Sequence, residues 1–445
     1  MMETPIYDFL AKYSNSAPIR AHMPGHKGIS PIPELMSAYS LDITEIAGAD
    51  SLFEADGIIR KSEENASALF GTLETVYSCG GSTLCIQAML YLMKQENRRV
   101  IAGRTVHKAF LNACILLGIE VTWVYPKEEN GILSGKFDPA DFEKALNDAK
   151  LSPCCVYVTS PDYLGNMADI ASLSEVSHRY NAPLLVDNAH GAHLAFFPEN
   201  IHPIALGADL CCDSAHKMLP CLTGCAYLHT SNKQYKGRLK GAMNMFGSTS
   251  PSYLMLLSLD LCNVFLQNEA RKNIAGIIKN IEEMKKRLQN KYIFADGHDP
   301  FHLVIDTAAM GICGTALAKE LERLGCFAEY AGKEAVVLLL SAAERIQELL
   351  RLDNALQQCT GLIKSSNTAK KPPSFTKPEV IMNMRKAALS ESEIISVENA
   401  IGRICAGVHV PCPPAVPIVI SGEIIDEKTA EVLKFYNVNE IEVVK

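Results

Sequence analysis

The pattern of apolar and polar residues between about 60 and 290 alternates between a helical and an extended period. Apolar residues spaced three and four apart predict amphipathic helices, whereas short continuous apolar runs predict buried strands. The predicted elements are a helix at 63–70, a strand at 75–78, a helix at 83–95, a strand at 99–102, a helix at 108–117, strands at 120–124 and 154–159, a helix at 170–180 and a strand at 184–186. This alternation predicts an α/β fold, a mostly parallel sheet with helices on both faces.

The C-terminal third of the chain carries a second, shorter series of such patterns. Its predicted elements are a strand at 302–305, a helix at 316–324, a strand at 335–340, and helices at 343–356 and 392–401. A stretch at 365–377 that contains Lys-Lys-Pro-Pro is the best candidate for a linker. We therefore expect an N-terminal segment at 1–50, a large domain at 51–295 and a smaller C-terminal α+β domain at 296–445.

Three polar turns in the first series carry the candidate chemistry. Ser82 and Thr83 open a predicted helix, Asp187 ends a predicted strand, and Lys217 follows a further apolar run. In open α/β sheets, ligands bind beyond the carboxyl ends of the strands. Pyridoxal phosphate requires an anion site, an acidic partner for its pyridinium nitrogen and a lysine that binds its aldehyde. The hydroxyl and N–H groups of a helix start, an acid and a lysine meet these three requirements.

Each of these residues also has an ordinary structural interpretation. Taken alone, Lys217 fits a solvated surface lysine, Asp187 fits a helix cap, and the hydroxyl groups fit N-caps or turns. A further alternative is a metal site formed by Asp187, His190 and His193. A metal site leaves the lysine and the Gly-Ser-Thr turn without a role. The cofactor interpretation therefore accounts for more of the pattern.

Distinctive short blocks occur in a fixed order along nearly the whole chain, at 23–28, 81–83, 104–108, 159–161, 187–193, 214–217, 248–253, 411–417 and 422–423. In these blocks the chain resembles the bacterial ornithine/lysine/arginine decarboxylases of the aspartate aminotransferase fold. The resemblance implies a PLP-dependent transferase (aspartate aminotransferase-like) fold, with a mostly parallel central sheet in the large domain. It also implies decarboxylation of lysine, arginine or ornithine to the corresponding amine and carbon dioxide.

The resemblance assigns roles to individual residues as well. Lys217 is expected to bind pyridoxal 5'-phosphate covalently, and Asp187 to keep its ring nitrogen protonated. His107 is expected to stack on the ring, and Glu423 to bind the distal cation of the substrate. His216 is expected either to protonate the substrate carbon or to tune Lys217. The expected catalytic residues are thus Lys217, His216 and His107, and the expected cofactor-binding residues are Ser82, Thr83, His107, Asp187, His190, Ser214, Lys217 and, from a neighbouring subunit, Thr249.

The chain departs from the family pattern at three places. Asn188 stands where the family usually has Glu, residues 84–86 replace a small polar stretch, and Asp162 replaces a hydroxyl residue. These departures leave two alternatives open. One is another PLP-dependent reaction on an amino acid, that of an aminotransferase or of a lyase. In an aminotransferase, Arg385 or Arg403 would bind the α-carboxylate of the substrate. The other is a catalytically degenerate homologue.

The amino-acid composition indicates which binding partners and which cellular compartment to expect. The net charge is -8 with 21% charged residues, which argues against a nucleic-acid partner, because such a partner requires a basic face. Fifteen cysteines, with no Cys-x-x-Cys pair, predict buried thiols in a reducing cytoplasm and no zinc site. The N-terminus lacks a secretion signal, and no apolar run reaches membrane-spanning length. We expect a soluble, cytoplasmic enzyme of polyamine biosynthesis.

The family match begins almost at residue 1. We therefore expect a short form of the family that lacks the N-terminal wing domain of the long decarboxylases. If the wing organises larger assemblies, this chain should form a homodimer with shared active sites.

Overall fold

A computed structural model describes residues 2–149, 152–295, 297, 299–359, 373–374, 377–407 and 415–445. The predicted linker at 365–377 lies mostly outside these residues, as does the 411–414 part of the proline-rich block. By its internal contacts the chain divides into two units. The first unit comprises Met1–Gln95, Pro183–Ala275 and Ser341–Ala343, and the second Glu96–Ala182, Gly276–Leu340 and Glu344–Lys445. The domain bounds expected from the sequence stay a prediction.

The described residues form fifteen α-helices and two 3-10 helices. The α-helices are α1 (Pro5–Asn15), α2 (Met36–Leu41), α3 (Ile58–Phe70), α4 (Gly81–Gln95), α5 (Lys108–Leu117), α6 (Pro139–Asp148), α7 (Ile170–Arg179), α8 (Ala215–Met218), α9 (Leu239–Asn244), α10 (Tyr253–Asn268), α11 (Ala270–Leu288), α12 (Gly314–Arg323), α13 (Ile346–Gln358), α14 (Met384–Ala388) and α15 (Glu427–Phe435). The 3-10 helices span Pro33–Leu35 and Ala192–Phe196. None of these helices is both long and apolar enough to cross a membrane.

The same residues form fourteen strands. They are β1 (Glu74–Ser78), β2 (Arg99–Gly103), β3 (Val121–Val124), β4 (Glu128–Asn130), β5 (Ser134–Lys136), β6 (Cys154–Thr159), β7 (Leu184–Asp187), β8 (Leu210–Asp213), β9 (Ala226–Thr230), β10 (His302–Asp306), β11 (Tyr330–Ala331), β12 (Ala335–Leu339), β13 (Ser392–Ser396) and β14 (Glu440–Val444).

The first unit contains four strands in the order β1-β9-β8-β7. Strands β7 and β8 are parallel, with Leu185 opposite Leu210, whereas β9 runs antiparallel to both β8 and β1. Every residue of β7, β8 and β9 is buried, which explains why these strands read as continuous apolar runs rather than as alternating patterns. Because β7 and β8 are parallel, their carboxyl ends lie at the same edge.

The second unit contains three parallel strands in the order β6-β2-β3. It also has an antiparallel sheet, β10-β12-β11, and two antiparallel two-stranded sheets, β4-β5 and β13-β14. An apolar cluster includes residues of β12 and β14 together with apolar residues of α15. The predicted α/β class, with mostly parallel strands and a smaller antiparallel part, is confirmed.

One element differs in kind from its prediction. The helix predicted at 392–401 is wrong, because Ser392–Ser396 form strand β13, paired antiparallel with β14, and a turn follows. The apolar residues Ile394, Val397 and Ile401 are spaced like one face of a helix. In the structure, however, Ile394 is 62% exposed, whereas Ile395 packs on the apolar cluster opposite Ile441. Side chains that pack on the cluster therefore recur at every second residue, as in a strand, and pairing with the C-terminal strand β14 decides the conformation of this segment.

Candidate active site

Lys217 lies in the short helix that follows strand β8. The strand ends at Asp213, and α8 begins two residues later with Ala215, which is fully buried. The backbone N–H of Lys217 donates to the carbonyl of Ser214 at 3.1 Å, so the turn is tight. The side-chain Nζ of Lys217 lies 2.9 Å from Nε2 of His190, which follows the neighbouring strand β7. Both side chains therefore meet just beyond the ends of two parallel strands.

Asp187 is the last residue of β7 and is buried. Its Oδ1 accepts the backbone N–H of Ala189 at 3.3 Å and the thiol of Cys212 on β8 at 3.7 Å. Burial between two strands holds this carboxylate in one place. A buried acid at a strand end is the kind of group that keeps a pyridinium nitrogen protonated.

The three hydroxyl residues predicted to bind phosphate lie at the start of α4 and the end of β8. Helix α4 has 15 residues and begins at Gly81, whose φ of +67° favours glycine. A Cβ on Gly81 would meet no atom within 4 Å, so the space in front of the helix start is open. Ser214 Oγ donates to Ser82 Oγ at 2.9 Å, and Thr83 follows in the first turn. Ser82, Thr83 and Ser214 thus bring three hydroxyls to a helix N-terminus, an arrangement that suits an anion and that we call the anion cradle.

His216 has its Nδ1 2.9 Å from the carbonyl oxygen of Cys225. Because a carbonyl only accepts, Nδ1 carries the proton in this arrangement. Burial lowers the pKa of His216, the bond to Cys225 opposes this effect, and the charge of Lys217 adds to it. His216 is therefore neutral at neutral pH, and its Nε2 is then a proton acceptor.

These groups fit pyridoxal phosphate in the chemistry of their donors and acceptors. The cradle of Ser82, Thr83 and Ser214 offers N–H and O–H donors to an anion. Asp187 offers a buried carboxylate to a ring nitrogen, and Lys217 offers an amine with an imidazole beside it. All of them belong to the first unit.

Thr249 also belongs to the first unit and lies in the exposed turn before α10. Its neighbours Ser248 and Ser250 line a cavity of about 320 Å³ that Gly80 and Thr83 line as well. The structure thus places this turn beside the anion cradle of its own chain. Its predicted contact with a neighbouring subunit stays a prediction.

His107 and Glu423 belong to the second unit, and each already has a structural role there. His107 precedes α5, and its Nδ1 accepts the N–H of Ala109 at 3.1 Å, as an N-cap does. Glu423 is fully buried, and its Oε2 accepts the N–H of Ile420 at 2.9 Å and a guanidinium N–H of Arg104 at 3.3 Å. Burial raises the pKa of Glu423, and the charge of Arg104 opposes this rise.

A buried polar cluster around Asp213, which we call the Asp213 cluster, is not apparent from the sequence pattern. Its members are Asp213, Asn188, His202 and His229, and all are fully buried. Asp213 Oδ2 accepts from Nε2 of His202 at 3.0 Å and of His229 at 3.1 Å. Asp213 Oδ1 accepts from Nδ2 of Asn188 at 2.7 Å. Desolvation raises the pKa of Asp213, but the two imidazoles outweigh it, and the pKa lies well below its usual range.

The Asp213 cluster includes two residues that could also bind a metal ion, so it has to be compared with the metal site considered from the sequence. Within the described ranges, the group whose potential ligand atoms all lie within 4.8 Å of one another is His202, Cys211 and Asp213, and not Asp187, His190 and His193. The separations of 3.0 and 3.1 Å between Asp213 and the imidazoles are hydrogen-bond lengths. Hydrogen bonding therefore accounts for the Asp213 cluster.

The other two departures from the family pattern have structural explanations. Asp162 is buried and accepts from Ser134 Oγ at 2.6 Å and from the N–H groups of Leu164 and Asn166 at 2.9 Å, so it closes the turn at 162–166. The apolar residues at 84–86 are buried within α4.

The two arginines considered for a transaminase are bound elsewhere in the second unit. Arg385 donates to the carbonyls of Ile115 and Leu116 at the C-terminus of α5. Arg403 donates to Glu393 and to the carbonyl of Val444, both at 2.8 Å. Their guanidinium groups stabilise the fold, and the structure does not favour the aminotransferase alternative.

Comparison with known proteins identifies the family of the chain. The sequence model of the Orn/Lys/Arg decarboxylase major domain matches residues 4–305, and that of the C-terminal domain matches residues 367–442. The arginine decarboxylase of Bacillus subtilis (strain 168) is 29% identical over 454 residues, covering 96% of this chain and 92% of the relative. The arginine decarboxylase of Bacillus anthracis is 28% identical, covering 97% and 92%.

Solved structures agree in fold. Lysine decarboxylase A from Pseudomonas aeruginosa has a TM-score of 0.82 at 18% identity, covering 99% of this chain and 80% of that one. A serine palmitoyltransferase from S. paucimobilis, solved with bound PLP, has a TM-score of 0.53 at 13% identity, covering 68% and 76%.

Fold and site together define a pyridoxal-phosphate enzyme of the aspartate aminotransferase-like class. The family matches span most of its length, so the chain belongs to the Orn/Lys/Arg decarboxylase family. The expected cofactor and the expected reaction class, decarboxylation of a basic amino acid, are thereby confirmed.

Proposed function

We propose that the substrate is arginine, among the three basic amino acids that the family name includes. Two relatives matched over nearly the whole chain at 28–29% identity, from Bacillus subtilis (strain 168) and Bacillus anthracis, are named arginine decarboxylases. The relative named lysine decarboxylase from Pseudomonas aeruginosa is 22% identical over 61% of this chain. Arginine is therefore the substrate to test first.

The observation that carries the proposed mechanism is the contact of 2.9 Å between Lys217 and His190 beyond the ends of β7 and β8, where Asp187 is the last residue of β7. When bound, pyridoxal phosphate supplies an electron sink for the electron pair that remains when carbon dioxide leaves. Lys217 would hold the cofactor through its aldehyde, and Nε2 of His190, 2.9 Å away, would take the proton that the amine must lose to act as a nucleophile. Asp187 holds a proton on the ring nitrogen through its buried carboxylate.

The phosphate site follows from the start of α4. Ser82, Thr83 and Ser214 donate hydroxyl hydrogen bonds, and the helix N-terminus adds backbone N–H groups and a favourable dipole. In this arrangement Ser214 has to turn its hydroxyl from Ser82 towards the anion. The role of Thr249, completing the phosphate site of a neighbouring subunit, is part of the same proposal.

Glu423 and His107 complete the proposal from the second unit. The Oε1 atom of Glu423 is buried and has no hydrogen-bond partner among the described residues, which leaves it as an acceptor for a substrate cation. His107 caps α5 through Nδ1, and its ring plane is the group we propose to stack on the cofactor. Both roles depend on the resemblance to the family.

We further propose that the enzyme is a cytoplasmic homodimer in polyamine biosynthesis. Several apolar side chains of the N-terminal segment are largely exposed, with Ile19 at 96%, Ile29 at 66% and Met23 at 61%. A second copy of the chain would cover them. Light scattering of the purified protein tests this proposal, and a monomer would contradict it.

The substrate proposal is tested by following carbon dioxide and amine release from arginine, lysine and ornithine separately. We expect kcat/KM for arginine to exceed the other two by about tenfold or more, because a site that pairs a planar head group discriminates against shorter cations. Equal values, or a preference for lysine or ornithine, would contradict the assignment of arginine while leaving the decarboxylase class intact.

A further inference from the structure

The ends of β7 and β8 are joined by a side-chain hydrogen bond in addition to their backbone pairing. Nδ2 of Asn188 donates to Oδ1 of Asp213 at 2.7 Å, and the N–H of Asn188 donates to the carbonyl of Cys212 at 2.9 Å. Asn188 directly follows Asp187, and Asp213 directly precedes Ser214. The bond therefore lies between the two points from which the cofactor-binding groups leave the strands.

Position 188 must present a donor to Asp213. His202 accepts the N–H of Ile204 on its Nδ1 at 3.3 Å, so its Nε2 carries the proton that it gives to Asp213. His229 contacts the hydroxyl of Thr75 through Nδ1 at 2.8 Å and gives its Nε2 proton to the same carboxylate oxygen. Asp213 is thus an acceptor on both oxygens. A carboxylate at 188 would place two buried anions in contact, whereas an amide supplies the donor.

The side chain of Asn188 packs directly against residue 191. A Cβ on Gly191 would lie 1.9 Å from Oδ1 of Asn188, so the side chain occupies a slot that exists because residue 191 is glycine. The backbone N–H of Gly191 donates to the backbone carbonyl of Asn188 at 2.8 Å and closes the turn. The side-chain amide is fixed by its Nδ2 bond to Asp213, and its buried Oδ1 has no hydrogen-bond partner among the described residues.

We propose that Asn188 and Asp213 are positioning residues of the cofactor site. Their amide–carboxylate bond sets the distance between Asp187 and the pair Ser214 and Lys217, and neither residue touches the cofactor. The acid and the amide form a matched pair, so the loss of the family's Glu at 188 is compensated within this chain by Asp213. The inference rests on the proposed roles of Asp187, Ser214 and Lys217, and it does not depend on which amino acid is the substrate.

An exchange of the two groups tests this proposal. The variants are Asn188→Asp, Asp213→Asn and the double exchange, each in the full chain. In the double exchange, Nδ2 of the new amide at 213 donates to the carboxylate at 188, and its Oδ1 still accepts from both imidazoles. Asn188→Asp alone is expected to weaken the binding of pyridoxal phosphate to the apoprotein by about tenfold or more, and the double exchange to restore it to within about threefold. The affinity of Asp213→Asn alone for pyridoxal phosphate is expected to lie between that of Asn188→Asp and that of the double exchange.

A second readout separates positioning from a purely structural role. At saturating pyridoxal phosphate, the pH midpoint of the visible absorption band is expected to shift in Asn188→Asp and to return in the double exchange. A structural role alone would lower the melting temperature of the apoprotein and leave this midpoint unchanged. Unchanged binding and midpoint in Asn188→Asp, or a double exchange no better than the two single effects combined, would overturn the proposal.

Two further variants keep the result interpretable. Asn188→Ala removes the donor without adding a charge, so it is the variant to measure if Asn188→Asp does not fold, and it is expected to shift the midpoint in the same direction by less. No shift in folded Asn188→Ala would also overturn the proposal. Lys217→Ala must abolish the band. If the band persists in Lys217→Ala, the proposed cofactor site is wrong. That result differs from one in which the band requires Lys217 but the double exchange does not restore cofactor binding, which contradicts only the proposal for Asn188 and Asp213.

Discussion

Nζ of Lys217 lies 2.9 Å from Nε2 of His190, just beyond the ends of two neighbouring parallel strands. In the proposed mechanism, this contact lets the imidazole accept the proton that the lysine loses before it attacks an aldehyde. Neither residue needs a rearrangement of the strands for this transfer.

The His190→Gln variant is expected to slow the reloading of apoprotein with pyridoxal phosphate by about 10²-fold, since the amide cannot take up the proton. The rate is measured by the growth of the visible absorption band after mixing. His178→Gln, at an exposed position of α7, is the matched control and is expected to reload at the normal rate. Reloading of His190→Gln at the rate of the control would contradict the role of His190.

His216→Asn tests which role this histidine has. The amide of asparagine can replace the Nδ1–H that bonds the Cys225 carbonyl, but it cannot be protonated. Because the pKa of His216 is lowered below its usual value, the ring is neutral above about pH 7 and cannot donate a proton from Nε2 there. We therefore expect the variant to keep decarboxylase activity within about fivefold of the parent at that pH. A loss of about a hundredfold or more would instead identify His216 as the proton donor.

Glu63 makes stability depend on pH in a part of the fold distant in sequence from Lys217. Its carboxylate is buried, accepts the N–H of Tyr77 at 3.0 Å and pairs with Lys240 at 2.8 Å. Burial raises the pKa of Glu63 to about 7, although Lys240 opposes the rise. The pKa of Glu63 is thus higher in the folded protein than its value of 4.5 in the unfolded chain, so protonation of Glu63 favours the folded state. This stabilisation is fully present below about pH 4.5 and is lost as the pH rises through about 7.

We therefore expect Glu63→Gln to change the pH dependence of the melting temperature. Between about pH 5 and about pH 8, the parent should lose up to about 3 kcal/mol of unfolding free energy that the variant does not lose. Glu64→Gln, on the exposed side of the same helix, is the matched control. Parallel pH profiles for the parent and Glu63→Gln would show that Glu63 does not titrate in this range.

Glu423 and Arg104 form a fully buried ion pair, so the effect of a substitution at 423 depends on whether the new side chain still accepts a hydrogen bond from Arg104. Glu423→Ala leaves the Arg104 charge uncompensated and is expected to cost about 3–5 kcal/mol of unfolding free energy. Glu423→Gln keeps an acceptor for Arg104 and Ile420 and should fold. If Oε1 binds the substrate cation, this variant raises KM for arginine about tenfold or more and leaves the affinity for pyridoxal phosphate unchanged. An unchanged KM would restrict Glu423 to its structural role.

Much of the site could be predicted from the sequence because it depends on local patterns. Apolar runs identify β7 and β8 as buried strands, and parallel strands bring the residues after their carboxyl ends to one edge. Asp187 and Lys217 could therefore be placed together from the sequence alone. The hydroxyl groups at the start of α4 have an equally local signal, a Gly-Gly-Ser-Thr turn before an apolar helix.

The parts that could not be predicted depend on pairing between distant segments. Asp213 ends an apolar run, and nothing near it indicates that its partners are His202 and His229. His229 lies on β9, an antiparallel strand that the pattern did not place. Arg104 and Glu423 are 319 residues apart, and each alone reads as a solvated charge. Strand β13 was misread because its conformation is decided by β14.

The most direct test of the account is the visible absorption spectrum of the purified protein, compared with that of Lys217→Ala. The spectrum is recorded during titration with arginine, while the release of carbon dioxide is followed. The account predicts a band that requires Lys217, shifts on addition of arginine and is accompanied by carbon dioxide and the corresponding amine. A band that persists in Lys217→Ala, or a normal band with no carbon dioxide from arginine, lysine or ornithine, would contradict it.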